Sequence, residues 1–349
     1  MDEPTPLTDS SLAYPDFALH WAKRLGAKRD SLVSLHGGIN NHVFSCEIGT
    51  KASERFVIKG YAPKLGLTDR MKAEVEFLRY AEQVAPHYIP KLLAEDYDQR
   101  CVVLEFIDGQ SYCPGISPPE QAIIQAGDFF RLLNADKLLA KKYIQQSAAD
   151  GFLSLTEHLH HVQGRLNQLL TDHLPKHLGA VAHTLLQQIR RDFDEVADRT
   201  KKLIDKGEVQ DHIDPDNCCV SPSDFGFHNA FQCASGVKFF DFEFAGWDDV
   251  AKTMVDFILQ PRVPVAPLLA NLFYRYGIQL PCKALTDRTL VLGPILRIKW
   301  LCIMLSVLHP DRLQQMRTVL QGTIHMDFIN QRLDAAQAYT QKEFSFGLH

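Results

Sequence analysis

Between Ser221 and Asp249 the chain reads SPSDFGFHNAFQCASGVKFFDFEFAGWDD, which sets Asp224 and Asn229 in an Asp-x4-Asn pattern and brings Asp241 later. Moving a phosphoryl group from MgATP to a hydroxyl asks little covalent chemistry of a protein. It does need a group that takes the proton of the attacking hydroxyl, and oxygen ligands for Mg²⁺. Asp224 suits the first task. Asn229 can offer the metal a neutral carbonyl oxygen and Asp241 a charged one, the hard ligands that Mg²⁺ prefers. Residues 230–233 and 237–240 have strand composition around Ala234-Ser235-Gly236, and a hairpin there folds Asp241 back toward Asn229.

Asp224-Phe225-Gly226 also spells the metal-binding tripeptide of protein kinases. Chain order speaks against that assignment. An Asp-x4-Asn should then stand some way upstream, but the position that follows Asp211 at this spacing is Asp216. Asp224 is therefore the candidate base and Asp241 the candidate metal ligand. Asp and Asn are also ordinary turn formers, so the pattern gains meaning from the elements that would position it.

Those elements begin at Leu32, where residues 31–36, 42–48 and 55–61 form short β-rich runs bounded by turn residues, the pattern of a small antiparallel sheet. Between the first two lies His36-Gly37-Gly38-Ile39-Asn40-Asn41. Paired glycines there either let backbone N–H groups approach a ligand or make a plain hairpin turn. The third run carries Phe56-Val57-Ile58-Lys59. Lys59 is either a point charge for ATP phosphates or an exposed edge lysine. Residues 68–82 form a predicted helix with Thr68 or Asp69 as N-cap and Met71, Val75, Leu78 and Ala81 as its apolar stripe. Glu74 lies beside the stripe, positioned to pair with Lys59. Residues 92–96 and 101–107 supply two more strands.

Taken in order, the Gly-Gly loop, strand lysine, helical glutamate, Asp-x4-Asn, strand-turn-strand and Asp-Phe-Glu resemble the aminoglycoside phosphotransferase and choline kinase family, relatives of the protein kinases. The resemblance spans roughly residues 32–260. It implies an α+β, bilobal protein-kinase-like fold with a small antiparallel β-sheet N-lobe (residues 1–107), a hinge (108–115) and a mostly helical C-lobe (116–349). It implies ATP and Mg²⁺ as cofactors. Gly37, Gly38 and Lys59 would meet the ATP phosphates, Glu74 would orient Lys59, and the strand end Glu105, Phe106 and Ile107 would meet adenine. Asp224 would act on the acceptor hydroxyl, Asn229 and Asp241 would bind magnesium, and Asp256 would brace the catalytic loop from below.

The implied activity is transfer of the γ-phosphate of ATP to a hydroxyl of a small molecule: a sugar, an aminoglycoside or an amino alcohol. The alternative is a catalytically silent kinase-like nucleotide-binding module. No Ala-Pro-Glu element follows Asp241; the chain passes directly into Gly246-Trp247-Asp248, as in the small-molecule branch. Two positions depart from the family pattern. Pro222-Ser223-Asp224 stands where His-Gly-Asp is usual, and Phe-Gly-Phe-His follows where Leu-His-Pro-Gly is commoner. Proline fixes φ and cannot supply the bracing contact of the histidine, but no reacting group is lost. Asp248, Asp249 and Trp247, close to the metal loop, permit a cationic acceptor without requiring one.

Composition sets the remaining bounds. With 349 residues, 46% hydrophobic and 23% charged, the chain is globular and long enough for two cores. A net charge of -5 and the lack of a Lys/Arg run argue against nucleic acid and anionic membrane as partners. The eight cysteines are scattered, and Cys218-Cys219 lacks zinc-site spacing, which favours reduced, buried thiols. The opening MDEPTPLTDS has no signal-peptide pattern, and residues 295–308, the most apolar stretch, are too short to span a bilayer, so a cytoplasmic location is expected. Helices are expected at 17–25, 118–133, 153–171 and 178–206, from an Asp248 cap to Gln260, and at 263–277, 284–292, 295–308 and 310–343. His158, His160 and His161 lack a third ligand and are expected on a solvated helix surface.

Overall fold

The structure, a computed structural model, describes residues 15–27, 29–35, 41–49, 54–62, 69–169, 179–278, 282–309, 326–344 and 346. The Gly37-Gly38 loop and Thr68 lie outside the described residues. The first layer is a five-stranded antiparallel sheet of β1 (Val33–Ser34), β2 (Asn41–Glu47), β3 (Arg55–Tyr61), β4 (Leu92–Asp96) and β5 (Cys101–Glu105), in the order β1-β2-β3-β5-β4. Side chains of successive strand residues point to opposite faces, so a sheet with both faces covered becomes apolar on both. Helix α1 (Asp16–Arg24) covers one face, where Trp21 meets Ile58, Cys101 and Val103. Helix α2 (Arg70–Val84) covers the other, where Met71, Val75 and Leu78 meet Val102 and Leu104. Asp69 caps α2, its carboxylate accepting from the Lys72 N–H at 3.3 Å.

The second layer is mostly helical. It comprises α3 (Glu120–Leu133), α4 (Lys137–Tyr143), α5 (Leu155–Leu169), α6 (Gly179–Asp205), α7 (Val250–Leu259), α8 (Ala270–Gly277), α9 (Lys283–Met304) and a last helix, Met326–Thr340. Two small sheets carry the loops between them. One is β6 (Gln110–Ser111) with β8 (Ala230–Cys233) and β9 (Gly236–Phe239); the other pairs β7 (Cys219–Ser221) with β10 (Gly246–Asp248). The mixed architecture is thus the expected one, an antiparallel sheet followed by a helical part. Packed aromatic rings fill the second layer, where Phe129 stacks on Phe239 at 5.2 Å and Phe257 on Phe273 at 4.0 Å, and reach the first, where Phe77 of α2 stacks on Phe242 at 4.4 Å.

Local reading failed where packing overrode it. The two helices expected at 284–292 and 295–308 are one helix, α9, which runs through Pro294 and ends in a 3-10 turn at Leu305–Leu308. A proline inside a helix forfeits a hydrogen bond, but α9 packs against α5, α6 and α7 and is held from several sides. From Lys283 to Leu308 it is long and apolar enough to cross a membrane, contrary to the expected shortness of this stretch. Instead it serves as a core helix, with Arg288 and Lys299 buried in ion pairs to Asp249 and Asp256. Residues 263–277 form a 3-10 turn, Pro267–Leu269, and then α8 rather than one helix. His158 is buried, not solvated, and Cys113 and Cys282 are exposed thiols.

Candidate active site

Two loops and one strand converge at the junction of the layers. β3 delivers Lys59, whose Nζ lies 2.5 Å from Glu74 on α2 and 2.5 Å from Asp241. Lys59 and Glu74 are almost fully buried, whereas the Asp241 side chain is 35% exposed. Burial works against the charge of Lys59, but Asp241, Glu74 and Glu243 surround it and hold its pKa above the ordinary lysine value. Lys59 is thus a buried cation beside the loop that carries Asp241, not an edge lysine. The Tyr61 hydroxyl donates to Glu74 at 2.6 Å and the Phe242 N–H reaches the other Glu74 oxygen at 3.4 Å, which fixes the glutamate from both sides.

The hairpin β8–β9 forms as the sequence suggested, with Gly236 in the turn at a φ of 115° that glycine tolerates. Beyond it Asp241 takes a left-handed φ of 69°, a conformation that costs most non-glycine residues about 1 kcal/mol or more. Asn41 Nδ2 donates to Glu243 at 2.6 Å, tying β2 to the metal loop.

Asp224 and Asn229 sit on a tight loop that closes with a 3-10 turn, Phe227–Asn229. The Asn229 amide donates to the Asp224 carbonyl at 3.1 Å and to its carboxylate at 3.2 Å, which leaves the Asn229 Oδ1 as an oxygen ligand. His228 Nε2 lies 3.0 Å from Asp224 Oδ1. Burial pushes Asp224 toward protonation, yet the charge and hydrogen bond of His228 and the Asn229 bond outweigh it and lower the pKa below its ordinary value. Asp224 stays ionised. The Gly226 position leaves room for the His228 ring, since a Cβ there would meet Nδ1 at 2.8 Å.

Support for this loop differs from the family expectation. Ser223, at the position of the family glycine, takes a left-handed φ of 66°. Its N–H donates to Ser221 Oγ at 3.0 Å, and the Thr253 hydroxyl of α7 reaches the same oxygen at 2.9 Å. Asp256 does not brace the loop. It accepts both contacts of Lys299 at 2.7 Å and the Trp300 indole at 3.0 Å, so it joins α7 to α9. Nor do Asp248 and Asp249 present charge to an acceptor. Asp248 is buried 2.5 Å from Lys252, while Asp249 caps α7 and pairs with Arg288 at 2.5 Å. The Trp247 indole is committed to the Ile144 carbonyl at 3.0 Å.

Of the residues singled out in the sequence, Lys59, Glu74 and Asp241 are in direct contact, and Asp224 and Asn229 form a second contact group. Glu105, at the end of β5, accepts from the Lys91 N–H and from Lys238. Phe106, beside it, lies under the Arg55 guanidinium at 3.9 Å, and Ile107 follows before β6. Gly37 and Gly38 lie outside the described residues. The sequence reading missed His228, Ser221 and Thr253 as supports of this loop; His228 stands four residues after Asp224, a spacing that is uninformative until the 3-10 turn closes.

The donor set suits a hard divalent ion, with a carboxylate from Asp241 and an amide oxygen from Asn229. Among the described residues no cluster of three His, Cys, Asp or Glu side chains could hold a metal unaided. A metal at Asn229 and Asp241 would therefore complete its shell with substrate oxygens or water, as Mg²⁺ does in phosphoryl-transfer sites.

No protein-family model and no curated protein matches the sequence. Solved structures do match the fold. A spectinomycin phosphotransferase in complex with ADP and spectinomycin aligns over 94% of this chain and 100% of its own, with a TM-score of 0.60 and 15% identity. A choline kinase from Streptococcus pneumoniae aligns over 93% and 97% with a TM-score of 0.58 and 12% identity, and one from Cryptosporidium parvum over 90% and 90% with 0.57 and 14%. The chain therefore has the protein-kinase-like fold of the choline kinases and the antibiotic phosphotransferases.

Proposed function

We propose that the protein is a phosphotransferase that moves the γ-phosphoryl group of ATP to a hydroxyl of a small molecule. The observation that carries the proposal is that a buried, cationic Lys59 contacts Asp241, while Asn229 contacts an ionised Asp224 and through its backbone carbonyl accepts from the N–H of Phe240, the neighbour of Asp241, at 3.0 Å. Magnesium, when bound, would neutralise phosphate charge. The protein's own part is to position and to hold protons. Lys59, released from Asp241 by the incoming nucleotide, keeps its charge through Glu74 and offers it to phosphate oxygens. Glu105, Phe106 and Ile107 lie where the strand leaves the sheet, and their backbone would meet the adenine, with Gly37 and Gly38 closing over the phosphates. Asp224 accepts a hydrogen bond from the acceptor hydroxyl and takes its proton as the new bond forms. Asn229 holds the Asp224 carboxylate from the other side.

A nucleotide-release assay with MgATP across sugars, sugar acids, amino alcohols and aminoglycosides tests the reading. ADP release that depends on one acceptor supports it. Nucleotide binding with no acceptor-dependent release anywhere in the panel favours a silent nucleotide-binding module.

A further inference from the structure

Beside the proposed catalytic residues lies a side-chain cluster that the reaction as described does not use. The Ala149 peptide is held between both loops: its N–H donates to the Phe244 carbonyl at 2.9 Å, and its carbonyl accepts from the Ser223 hydroxyl at 3.3 Å. Asp150 follows at once, in a left-handed conformation with φ 55°. It therefore stands next to the residue that precedes Asp224 and near the exit of the metal loop.

Helix α5 brings two partners to Asp150. Arg165 donates through Nη2 to Asp150 Oδ2 at 2.9 Å and through Nε to His161 Nε2 at 2.7 Å. His161 Nε2 also lies 3.2 Å from Asp150 Oδ2, so the three side chains form one closed contact group. The Nη1 group has no hydrogen bond among the described residues, so one edge of the guanidinium remains open. Asp150, His161 and Arg165 are 32%, 22% and 35% exposed, which is unlike the fully buried pairs beneath them. Phe152 lies against His161 at 5.0 Å and against His158 at 5.4 Å. Behind that ring, burial first and then Lys252, Lys299 and Arg288 hold the His158 pKa well below its ordinary value.

We propose that Arg165, positioned by Asp150 and His161, binds an anionic oxygen group of the phosphate acceptor, making the acceptor an acidic sugar rather than an amino alcohol or aminoglycoside. The open guanidinium edge presents paired N–H donors that match a carboxylate or a phosphate. A cationic acceptor would face this guanidinium, and three carboxylates that could answer it are already paired. Asp150 is already committed to Arg165, and Asp248 and Asp249 are buried in pairs of their own. The inference rests on the phosphotransferase reading and extends it to the acceptor.

Calorimetry on the full chain, saturated with a non-hydrolysable MgATP analogue, tests it with D-glucuronate, glucose 6-phosphate and choline as probes. One of the two sugars is expected to bind and choline is not; which sugar binds separates carboxylate from phosphate. Arg165→Ala should weaken that binding by about tenfold or more, with Arg165→Lys in between and the affinity for the analogue unchanged in both. Tighter binding of choline, no binding of either sugar, or sugar affinity unchanged in Arg165→Ala would overturn the proposal. Titration of the analogue alone keeps the two readings apart. A chain that binds the nucleotide analogue but prefers choline loses only the acceptor assignment, whereas one that binds no nucleotide loses the phosphotransferase reading itself.

Discussion

At the scale of single residues, Asp224 illustrates how one environment can both bury a carboxylate and keep it charged. His228 and Asn229 contact its two oxygens, and their effect exceeds the burial that favours the neutral acid. Asp224→Asn preserves the shape and removes the proton acceptor. Turnover should fall by about 10²-fold or more in a coupled ADP assay, with the melting temperature and MgATP affinity near those of the parent. His228→Ala should act differently. A carboxylate with a lowered pKa stays ionised as pH falls; without His228, burial is less opposed and the pKa rises. The acid limb of the kcat/KM profile is therefore expected to move to higher pH, and an unmoved limb would show that His228 does not sustain the charge. The contacts of Asp224 with Asn229 and of Lys59 with Glu74 and Asp241 were legible in the sequence because the spacing is local or falls on recognisable strands and helices. His228 was not, because a histidine four residues after an aspartate carries no meaning until the loop closes into its 3-10 turn.

At the scale of elements, the strands of the first sheet and the β8–β9 hairpin were legible, whereas the short strands β6, β7 and β10 and the continuity of helices were not. Runs of β-branched and aromatic residues mark β3 and β5 directly, whereas Pro294 invites a break that packing of α9 forbids. Caps from distant sequence are equally hidden. Helix α5, which carries His161 and Arg165, is capped by Asp211: the carboxylate accepts from the Thr156 N–H at 2.8 Å and from the Ser154 hydroxyl at 2.9 Å. Burial opposes the charge of Asp211, but those bonds lower its pKa below the ordinary value. A depressed carboxylate contributes stability above its unfolded pKa of about 3.9 and loses it as pH falls through the folded value. Asp211→Ala should thus cost about 1–2 kcal/mol in urea denaturation at neutral pH, the usual scale of a lost cap. The difference from the parent should shrink under acid conditions, and a difference that stays constant down to strongly acid pH would rule the cap out as its source.

At the scale of the whole molecule, the sheet and the helical layer meet through packed aromatic rings and several polar ties. Those at the candidate site are Lys59 to Asp241, Asn41 to Glu243 and the Phe242 N–H to Glu74. Phe242 belongs to both systems, since its ring stacks on Phe77 of α2, the helix that carries Glu74. Phe242→Ala is expected to destabilise the fold by about 3–5 kcal/mol and to weaken nucleotide binding, which denaturation and calorimetry on one preparation can check together. The succession of an antiparallel sheet and a helical part was legible from the change of composition along the chain. The buried charges of the helical layer were misjudged, because Asp248, Asp249 and Asp256 lie near the reacting residues in sequence but point to Lys252, Arg288 and Lys299 in space. The central claim, that Lys59, Asn229 and Asp241 form a MgATP site served by Asp224, is met most directly by titrating ATP into the protein with magnesium and with a chelator. The account predicts binding that requires magnesium, falls at least about tenfold in Asp241→Ala and in Lys59→Ala, and persists in Asp224→Asn. Affinity for MgATP undiminished in Asp241→Ala and Lys59→Ala, or no binding by the parent protein, would contradict it.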